Sequence, residues 1–335
     1  MAELTIGIGM SHGPLVVSEA STWLRIGELD HQSTLLRDTT SGEPVTFEEL
    51  ERSSGGRYAE RATLEALEAQ CRQVKQSLAR LKEETAAVAP DVLVVVGDDQ
   101  FELFDYENMP ALAVYYGAEL ISCTTTRRGR YGARVGGLDD VHRGYGMDAH
   151  RHWPGHESLA AHLISSLVDR HFDVTAVKGI SDLDRGGIGH AFGVVEMQLI
   201  DEGKVPVVPV FVNTYWPPNQ LTPRRCYELG LALREAIDAY PEDLRVGVVA
   251  SGGLSHFVTD EELDGRTLAA LRSGDAEALC ELPLHLLNSG NSEVRNWIVV
   301  AAACRDMQLA WDDYIPVYRT HAGTGCGLVF ARWAA

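Results

Sequence analysis

The sequence predicts an α/β fold with a mixed, mostly parallel β-sheet covered by helices on both faces. Two observations support this prediction. Short apolar runs rich in β-branched residues alternate with longer segments in which apolar residues recur at helical spacing. Several of the short runs also end in polar side chains, histidines among them. The carboxyl ends of parallel strands are where an α/β protein places its functional groups.

The N-terminal part of the chain begins with a strand and continues through a long helix to two further strands. Residues 3–9 are apolar and alternate, which predicts a strand, whereas residues 15–55 show no long period and are interpreted as an irregular excursion. Over residues 58–86 the leucines and Val74 recur at helical spacing, which predicts a helix. The next strands are predicted at 91–96 and 111–116.

The rest of the chain alternates regularly after one long polar segment. Residues 124–155 are rich in Gly, Arg, His and Asp without an apolar period, which is typical of a lid or a mobile loop. Strands are then predicted near 173–178, 205–213 and 244–250, with helices near 156–169, after His190, and near 223–239, 260–272 and 292–304. Without repeats or linkers, we expect one domain over 1–335, with lid-like insertions near 15–55 and 124–155.

Composition excludes several classes of protein. A net charge of −19 over 335 residues argues against nucleic-acid partners and against binding to anionic membranes. No apolar run reaches transmembrane length, and the N-terminus lacks the basic start of a signal peptide, so we expect a cytoplasmic protein. The six cysteines form no Cys-x-x-Cys pair, which argues against a zinc knot or a redox pair.

Polar residues follow four of the predicted strands. His12 follows the first strand, and Asp98, Asp99 and Gln100 follow the strand at 91–96. The strand at 205–213 leads to Asn213 and Tyr215, and the strand at 244–250 leads to His256; a further histidine, His190, lies in a glycine-rich turn. If these side chains converge, they form a metal or acid/base site. The alternative is that they are ordinary turn residues.

Two groups of residues are candidates for binding a substrate. Arg127 and Arg128 lie in an arginine-rich, glycine-rich stretch that runs against the acidic balance of the chain. This stretch is either a solvated loop or a lid whose guanidinium groups clamp a carboxylate. Asn213 and Tyr215 are the second group, because they follow a strand end.

A mononuclear non-haem Fe(II) site requires two neutral donors and one carboxylate, with positions left open for substrate and dioxygen. His12 is one candidate neutral donor. No HExxH or EF-hand spacing is present, so spacing alone does not select the carboxylate. The candidates are Asp98, Asp99, Glu102, Glu261, Glu262 and Glu293.

Eight short motifs are distributed over almost the whole chain. They are Ser-His-Gly-Pro at 11–14, the run from Pro to Gln at 90–100, Gly-His-Glu-Ser-Leu-Ala-Ala-His at 155–162, Gly-His-Ala-Phe-Gly at 189–193, Val-Asn-Thr-Tyr-Trp-Pro-Pro at 212–218, Arg-Cys-Tyr-Glu-Leu-Gly at 225–230, Gly-Gly-Leu-Ser-His at 252–256 and Ser-Glu-Val-Arg-Asn-Trp at 292–297. No single motif is decisive, but their order and spacing together are specific. They resemble the motifs of the LigB-type class III extradiol dioxygenases, and most of all those of the single-chain 3-O-methylgallate dioxygenases.

The resemblance implies the LigB-type fold and a role for each matching residue. His12 matches the first iron-ligand histidine, and Glu293 matches the carboxylate ligand, expected one turn into a late helix. His256 matches the histidine that acts as acid and base near the substrate hydroxyl, and His190 matches a second active-site histidine beside the catechol. The implied cofactor is Fe(II).

The chain departs from the family at one ligand position. Where the family has its second ligand histidine, this sequence has Gln100. A glutamine carbonyl is a neutral oxygen donor, so a His-Gln-Glu set leaves the same formal charge on Fe(II) as His-His-Glu, although it is a harder and weaker donor than imidazole. The alternatives are that Asp99 or Glu102 binds the metal, or that metal binding is lost.

The expected function is the opening of a catecholic aromatic acid by O2, with gallate, 3-O-methylgallate or protocatechuate-like substrates, in the catabolism of aromatic or lignin-derived compounds. His256 would transfer the proton. One alternative is a metal-dependent hydrolase or lyase of the same fold. Another is a non-catalytic partner of a second subunit, against which the joint presence of the three histidines and Glu293 argues. The resemblance also implies a homodimer.

Overall fold

The computed structural model describes residues 1–124, 138–184 and 186–334. The strands in these ranges are β1 (Glu3–Met10), β2 (Val92–Gly97), β3 (Leu112–Tyr115), β4 (Glu119–Ile121), β5 (His152–Pro154), β6 (Thr175–Val177), β7 (Val207–Val212), β8 (Arg245–Ser251), β9 (His256–Val258), β10 (Gln308–Tyr318) and β11 (Thr324–Ala334).

The helices are α1 (Pro14–Val17), α2 (Ala20–Leu29), α3 (Phe47–Ser54), α4 (Leu64–Val88), α5 (Asp139–Gly144), α6 (Glu157–Asp169), α7 (His190–Val194), α8 (Pro223–Asp238), α9 (Glu261–Ser273), α10 (Ala276–Cys280) and α11 (Val294–Ala303). A π-helical turn (Val195–Leu199) continues α7, and a 3-10 turn (Ser289–Glu293) leads into α11.

One nine-stranded sheet organises the chain, and it confirms the predicted α/β class. The strand order is β10-β11-β1-β8-β2-β7-β3-β6, and β9 pairs with β11. The four central strands β1, β8, β2 and β7 are parallel to one another, whereas β1 and β7 pair antiparallel with the outer strands β11 and β3. Because every residue of β2 and β7 is buried, these strands are continuous apolar runs, as expected where helices cover both faces.

The four central strands place their carboxyl ends side by side. The segments that follow them begin at Ser11, Asp98, Asn213 and Gly252. Adjacent parallel strands point the same way, so these four segments meet at one edge of the sheet. This arrangement brings together polar residues that are up to 240 positions apart in the chain.

Three predicted elements need correction. The region 15–55 contains helices α1 to α3, which are too short to show a long apolar period; α3 begins at a reciprocal cap between Thr46 and Glu49. The helix predicted at 58–86 starts later, because the Thr63 side chain caps it by accepting from the backbone N–H of Ala66. Glu293 lies in the 3-10 turn before α11 rather than one turn into that helix.

A long antiparallel hairpin of β10 and β11, absent from the predicted elements, extends the sheet beyond β1. It contributes Cys326, which is paired in register with His256 of β9. The carboxylate of Asp30 ties this hairpin to α2, since it accepts from Arg319 Nε at 2.6 Å and from Thr324 Oγ1. No helix within the described ranges is long and apolar enough to cross a membrane.

Candidate metal and catalytic centre

The carboxyl edge of the central strands holds a compact cluster of buried ionisable groups. His12, His190, Asp98, Glu102 and Glu293 are each at most 4% exposed. The structure therefore brings together most of the predicted site residues. The hydrogen bonds around each of these side chains define what it can do.

The His12 ring is held in one tautomer. Its Nδ1 lies 3.1 Å from Ser251 Oγ, and that hydroxyl donates its only hydrogen to the carbonyl of Ala191 at 2.5 Å. The hydroxyl oxygen must therefore accept from His12 Nδ1–H, so Nε2, on the side of Glu293, is the ring nitrogen that could ligate a metal. A hydrogen bond that fixes the other ring nitrogen in this way is the usual environment of a metal-ligating histidine.

Glu293 connects the two sides of the cluster through its two oxygens. Oε2 lies 3.2 Å from His12 Nε2 and accepts from the backbone N–H of Gly253 at 2.8 Å. Oε1 lies 3.1 Å from His256 Nε2 and accepts from the Tyr215 hydroxyl at 2.9 Å. Burial raises the pKa of Glu293, but His12 and His256 outweigh burial, so its pKa lies well below the usual value.

The first turn of α11 fixes this carboxylate against the end of β8. Trp297 Nε1 donates to the carbonyl of Gly252 at 2.9 Å, and Asn296 Nδ2 donates to the carbonyl of Ser251 at 2.9 Å. Gly252 has a φ of 152°, and a Cβ there would lie 3.0 Å from Glu293 Oε2. A larger residue at this position would therefore push against the carboxylate.

His256 holds a proton next to Glu293. Its Nδ1 lies 3.2 Å from the carbonyl of Leu254, which can only accept, and its Nε2 lies 3.0 Å from the Tyr215 hydroxyl. Burial lowers the pKa of His256, but the negative charge of Glu293 outweighs burial and places this pKa well above its usual value. The proton on His256 Nε2 therefore faces two oxygens, the Tyr215 hydroxyl and Glu293 Oε1.

His190 is anchored by a carboxylate of its own. Its Nδ1 lies 2.6 Å from Glu102 Oε1, and Glu102 Oε2 accepts from the backbone N–H of Gln100. Burial lowers the pKa of His190, but Glu102 outweighs burial and raises this pKa to about 9. The His190 ring packs edge-on to the His12 ring, with 4.5 Å between the ring centroids.

Asp98 is a buried carboxylate with an unsatisfied oxygen. Oδ2 accepts from Gln100 Nε2 at 3.2 Å, whereas Oδ1 has no hydrogen-bond partner. Burial and the negative charge of Glu293 raise the pKa of Asp98 to about 6. A buried carboxylate oxygen without a partner is costly, and a bound cation would satisfy it.

The Gln100 side chain presents its amide nitrogen to the cluster. Nε2 is 3.2 Å from Asp98 Oδ2 and 3.4 Å from Glu293 Oε1. The opposite assignment of the amide would place its oxygen against two carboxylates, so these neighbours fix the orientation. Ligation of a metal by the Gln100 carbonyl stays a prediction.

The other carboxylates proposed from sequence have different surroundings. Asp99 accepts from the backbone N–H groups of Phe101, Leu103 and Phe104 at 2.8–3.2 Å and so organises the loop after β2. Glu261 and Glu262 are exposed on the first turn of α9, where they pair with Arg61 and Arg266.

The predicted substrate-binding residues differ in placement. Tyr215 reaches Glu293 and His256, as described above. The Asn213 amide is used within its own turn: Nδ2 donates to the carbonyl of Trp216 and to Asn219 Oδ1, both at 2.6 Å, and Oδ1 accepts from the backbone N–H of Trp216. Arg127 and Arg128 lie outside the described residues. Contact between substrate and Asn213, Arg127 or Arg128 stays a prediction.

Three residues of the cluster had no sequence signal strong enough to select them. Ser251 is the last residue of β8 and fixes His12, so only its position at a strand end pointed to it. Tyr145, which directly follows α5, donates its hydroxyl hydrogen to the carbonyl of His12 at 2.6 Å. Cys326 reaches His256 through β-pairing of the C-terminal hairpin, and no local pattern predicts that register.

The donor set fits a divalent cation. One candidate ligand atom from each of His12, Asp98 and His190 lies within 4.8 Å of the others, and all three residues are buried. Imidazole nitrogen and carboxylate oxygen are the ligands of non-haem iron centres. The unpartnered Asp98 oxygen and the fixed His12 tautomer are independent signs of such a site.

Comparison with known proteins agrees with this chemistry. Residues 63–328 match the family model described as the catalytic LigB subunit of aromatic ring-opening dioxygenase. A 2,3-dihydroxyphenylpropionate/2,3-dihydroxicinnamic acid 1,2-dioxygenase of Photorhabdus laumondii is 30% identical over 258 residues, which cover 74% of this chain and 69% of the relative.

Two further relatives are matched over shorter segments. A gallate dioxygenase of Pseudomonas putida is 34% identical over 157 residues, 44% of this chain and 45% of the relative. A 2,3-dihydroxyphenylpropionate/2,3-dihydroxicinnamic acid 1,2-dioxygenase of Mycobacterium ulcerans is 29% identical over 188 residues, 55% of this chain and 49% of the relative. The chain thus spans about half the length of these two relatives. Because the family model covers more than three quarters of the sequence, the chain belongs to the LigB family of aromatic ring-opening dioxygenase catalytic subunits.

Proposed function

We propose that this protein is an Fe(II)-dependent extradiol dioxygenase that opens the ring of a catecholic aromatic acid with O2. One observation carries the proposal: a buried cluster combines imidazole and carboxylate metal donors with a separate proton-holding pair. The donors include His12 Nε2 and Glu293 Oε2, which are 3.2 Å apart, and the pair is His256 with Tyr215. Ring opening of a catechol requires both functions at one place.

The activities for which these relatives are named support the substrate class. Their names include gallate and 2,3-dihydroxyphenylpropionate, both of which carry adjacent ring hydroxyls and a carboxylate. We extend this class to 3-O-methylgallate and protocatechuate-like acids, on the family resemblance of the motifs. Arg127 and Arg128 are proposed to bind the substrate carboxylate, since guanidinium groups match carboxylates in a bidentate manner. The homodimer is likewise proposed on resemblance alone.

His12, which follows β1, and Glu293, in the turn before α11, would hold the metal. Fe(II) at this position would bind the catechol and O2 together and allow electron density to pass between them. The chain supplies the orientation and the water-poor surroundings, because the side chains of this cluster are almost fully buried.

His256 and Tyr215 would handle the substrate proton. When Glu293 ligates a cation, the negative charge that keeps His256 protonated is neutralised. His256 Nε2, 3.0 Å from the Tyr215 hydroxyl, would then accept a proton from a ring hydroxyl and return it later in the reaction. Tyr215 also donates to Glu293 Oε1, so it keeps the base and the carboxylate in a fixed relation. His190 packs edge-on against His12 within the same cluster.

The test is anaerobic reconstitution with Fe(II), followed by measurement of O2 uptake with gallate, 3-O-methylgallate and protocatechuate. We expect one O2 consumed per substrate, and with ¹⁸O2 we expect both labelled atoms in the ring-opened product. Resorcinol-type acids, whose hydroxyls are not adjacent, serve as the substrate control and should consume no O2.

A control variant guards against loss of folding. His285 is exposed and lies outside the cluster, so His285→Ala should keep full activity. Absence of O2 uptake with every vicinal diol, in protein shown to hold one Fe(II) per chain, would overturn the proposed function. Release of a hydrolysis product without O2 consumption would favour a hydrolase instead.

A further inference from the structure

The motif resemblance does not identify the second neutral ligand of the metal, because it aligns Gln100 with a ligand histidine of the family. The structure offers an imidazole from another element. His190, at the first position of α7, lies against His12 with ring centroids 4.5 Å apart. His12, Asp98 and His190 also bring one candidate ligand atom each within 4.8 Å of one another.

We propose that His190 and Asp98 join His12 and Glu293 as metal ligands, that Glu102 orients His190, and that Gln100 positions the two carboxylates without ligating the metal. This inference rests on the proposed function for the presence of a metal. It replaces the missing histidine after β2 with one from the start of α7, so the centre keeps two imidazoles.

The contact between His190 and Glu102 supports a ligand role. A carboxylate can only accept, so the 2.6 Å contact assigns a hydrogen to His190 Nδ1, and Nε2 is the nitrogen through which the ring would ligate a metal. A histidine whose second nitrogen donates to a carboxylate is the usual ligand arrangement, and it makes the ligating nitrogen more basic. His12 and Ser251 show the same arrangement on the other imidazole.

The surrounding chain is shaped for the Glu102 contact. A Cβ at Gly189 would lie 2.7 Å from the carboxyl carbon of Glu102, so the residue before His190 must be glycine for the carboxylate to approach. The second oxygen of Glu102 accepts from the backbone N–H of Gln100. Glu102 thereby links the loop after β2 to the start of α7.

Asp98 supplies the observation that calls for a cation. Its Oδ1 is buried without a hydrogen-bond partner, whereas its Oδ2 accepts from Gln100 Nε2. The same Gln100 nitrogen lies 3.4 Å from Glu293 Oε1, so one amide holds both carboxylates. A glutamine that donates through nitrogen in this way acts as a positioning residue, because its carbonyl is directed elsewhere than to these carboxylates.

The charge balance points in the same direction. Four buried carboxylates, those of Asp98, Asp99, Glu102 and Glu293, lie near three buried or nearly buried histidines. The buried carboxylates outnumber these histidines, which favours a bound cation, since uncompensated buried charge is strongly unfavourable. A divalent ion beside Asp98 and Glu293 provides it.

The test measures metal binding without substrate, using anaerobic Fe(II) and, as a spectroscopic probe, Co(II), whose visible absorption depends on its ligands. We expect His190→Ala to weaken Co(II) binding by more than about 100-fold and to change the spectrum. Glu102→Gln is expected to weaken Co(II) binding by roughly 10–100-fold, which is the usual cost of changing the hydrogen-bond partner of a metal ligand. Gln100→Ala should cost less than about tenfold and leave the number of nitrogen ligands seen by X-ray absorption unchanged.

Rescue separates ligation from folding. In His190→Gly, added imidazole should restore Co(II) binding and the wild-type spectrum, which a purely structural role for His190 would not produce. The result that overturns the proposal is a Gln100→Ala variant that loses the metal while His190→Ala keeps it. If His190→Ala loses the metal but the wild-type enzyme opens no catechol, the ligand assignment stands and the proposed function fails.

Discussion

The cluster has two halves that use histidine differently. In the proposed metal half, which comprises His12, His190 and Asp98, Nδ1 of each ring contacts a side-chain oxygen from a distant segment of the chain. In the proposed proton half, which comprises His256 and Tyr215, Nδ1 contacts the carbonyl of Leu254 in the same turn, and Nε2 lies 3.0 Å from a phenol. The rings of the metal half are thus positioned by tertiary contacts, whereas the ring of the proton half is positioned by its own turn.

Glu293 belongs to both halves, one oxygen to each. This sharing explains why a single carboxylate in the turn before α11 lies in contact with the ends of β1, β7 and β8. It also means that the halves can be separated by mutation only at residues other than Glu293. The predictions below begin with the shared residue and continue to residues of one half.

Glu293→Ala is expected to have the largest effect, because it removes a metal ligand and the acceptor of Tyr215 together. Iron content should fall to near background after anaerobic reconstitution and desalting, and O2 uptake with gallate should be lost. Iron content is measured by a chromogenic chelator and activity by an oxygen electrode. Unchanged iron in a folded Glu293→Ala protein would reject the ligand role of Glu293.

His256→Ala is expected to lower turnover by about 10²–10⁴-fold, the usual contribution of a positioned acid or base. Because His256 belongs to the proton half, iron content should stay at the wild-type level. Full turnover in this variant would contradict the role of His256. Loss of iron together with activity would mean that the two halves are not separable.

Tyr215→Phe is expected to have a smaller effect of the same kind. The variant removes a phenol that donates to Glu293 Oε1 at 2.9 Å and contacts His256 Nε2 at 3.0 Å. A hydrogen bond to a charged group contributes about 1.5–3 kcal/mol, so kcat should fall by roughly 10–100-fold. The fall should appear in kcat with little change in KM or in iron content. A change confined to KM would instead assign Tyr215 to substrate binding.

The sequence predicts the sheet and the residues at its strand ends better than it predicts the contacts between their side chains. Residues at the carboxyl ends of β1, β2, β7 and β8 are recognisable because an apolar run ends in polar side chains. The contact between Glu102 and His190 joins residues 88 positions apart, and nothing local in either segment indicates it. The pairing of Cys326 with His256 depends on the register of an antiparallel hairpin, which forms only with the folded sheet.

The Gln100 position shows why motif register alone does not assign a ligand. The register of the loop after β2 places a glutamine at the family's histidine position. The direction of the amide and the availability of His190 depend on packing between β2, α7 and the turn before α11. Only the structure supplies these contacts.

The last and smallest effect is expected at Asp264, whose carboxyl group holds the residue before His256 and affects stability rather than turnover. Asp264 accepts from the backbone N–H and the hydroxyl of Ser255, both at 2.7 Å, and from the Tyr314 hydroxyl at 2.6 Å. Ser255 directly precedes His256. Burial raises the pKa of Asp264 from 3.8 to about 7, so the folded protein favours the protonated form of this carboxyl.

This shift has a definite consequence for stability. A carboxyl whose pKa is raised by folding contributes stability that is fully present below pH 4 and is lost as the pH rises through 7. The loss is at most about 4 kcal/mol for a shift of this size. Asp264→Asn lacks this titration, so its free energy of unfolding relative to the wild type should improve between pH 5 and pH 8, as measured by urea denaturation. Asp306→Asn, at an exposed site, should show no such trend. A difference between Asp264→Asn and the wild type that does not change with pH would show that Asp264 is ionised in the folded protein, and that its three donors, rather than burial, set its charge.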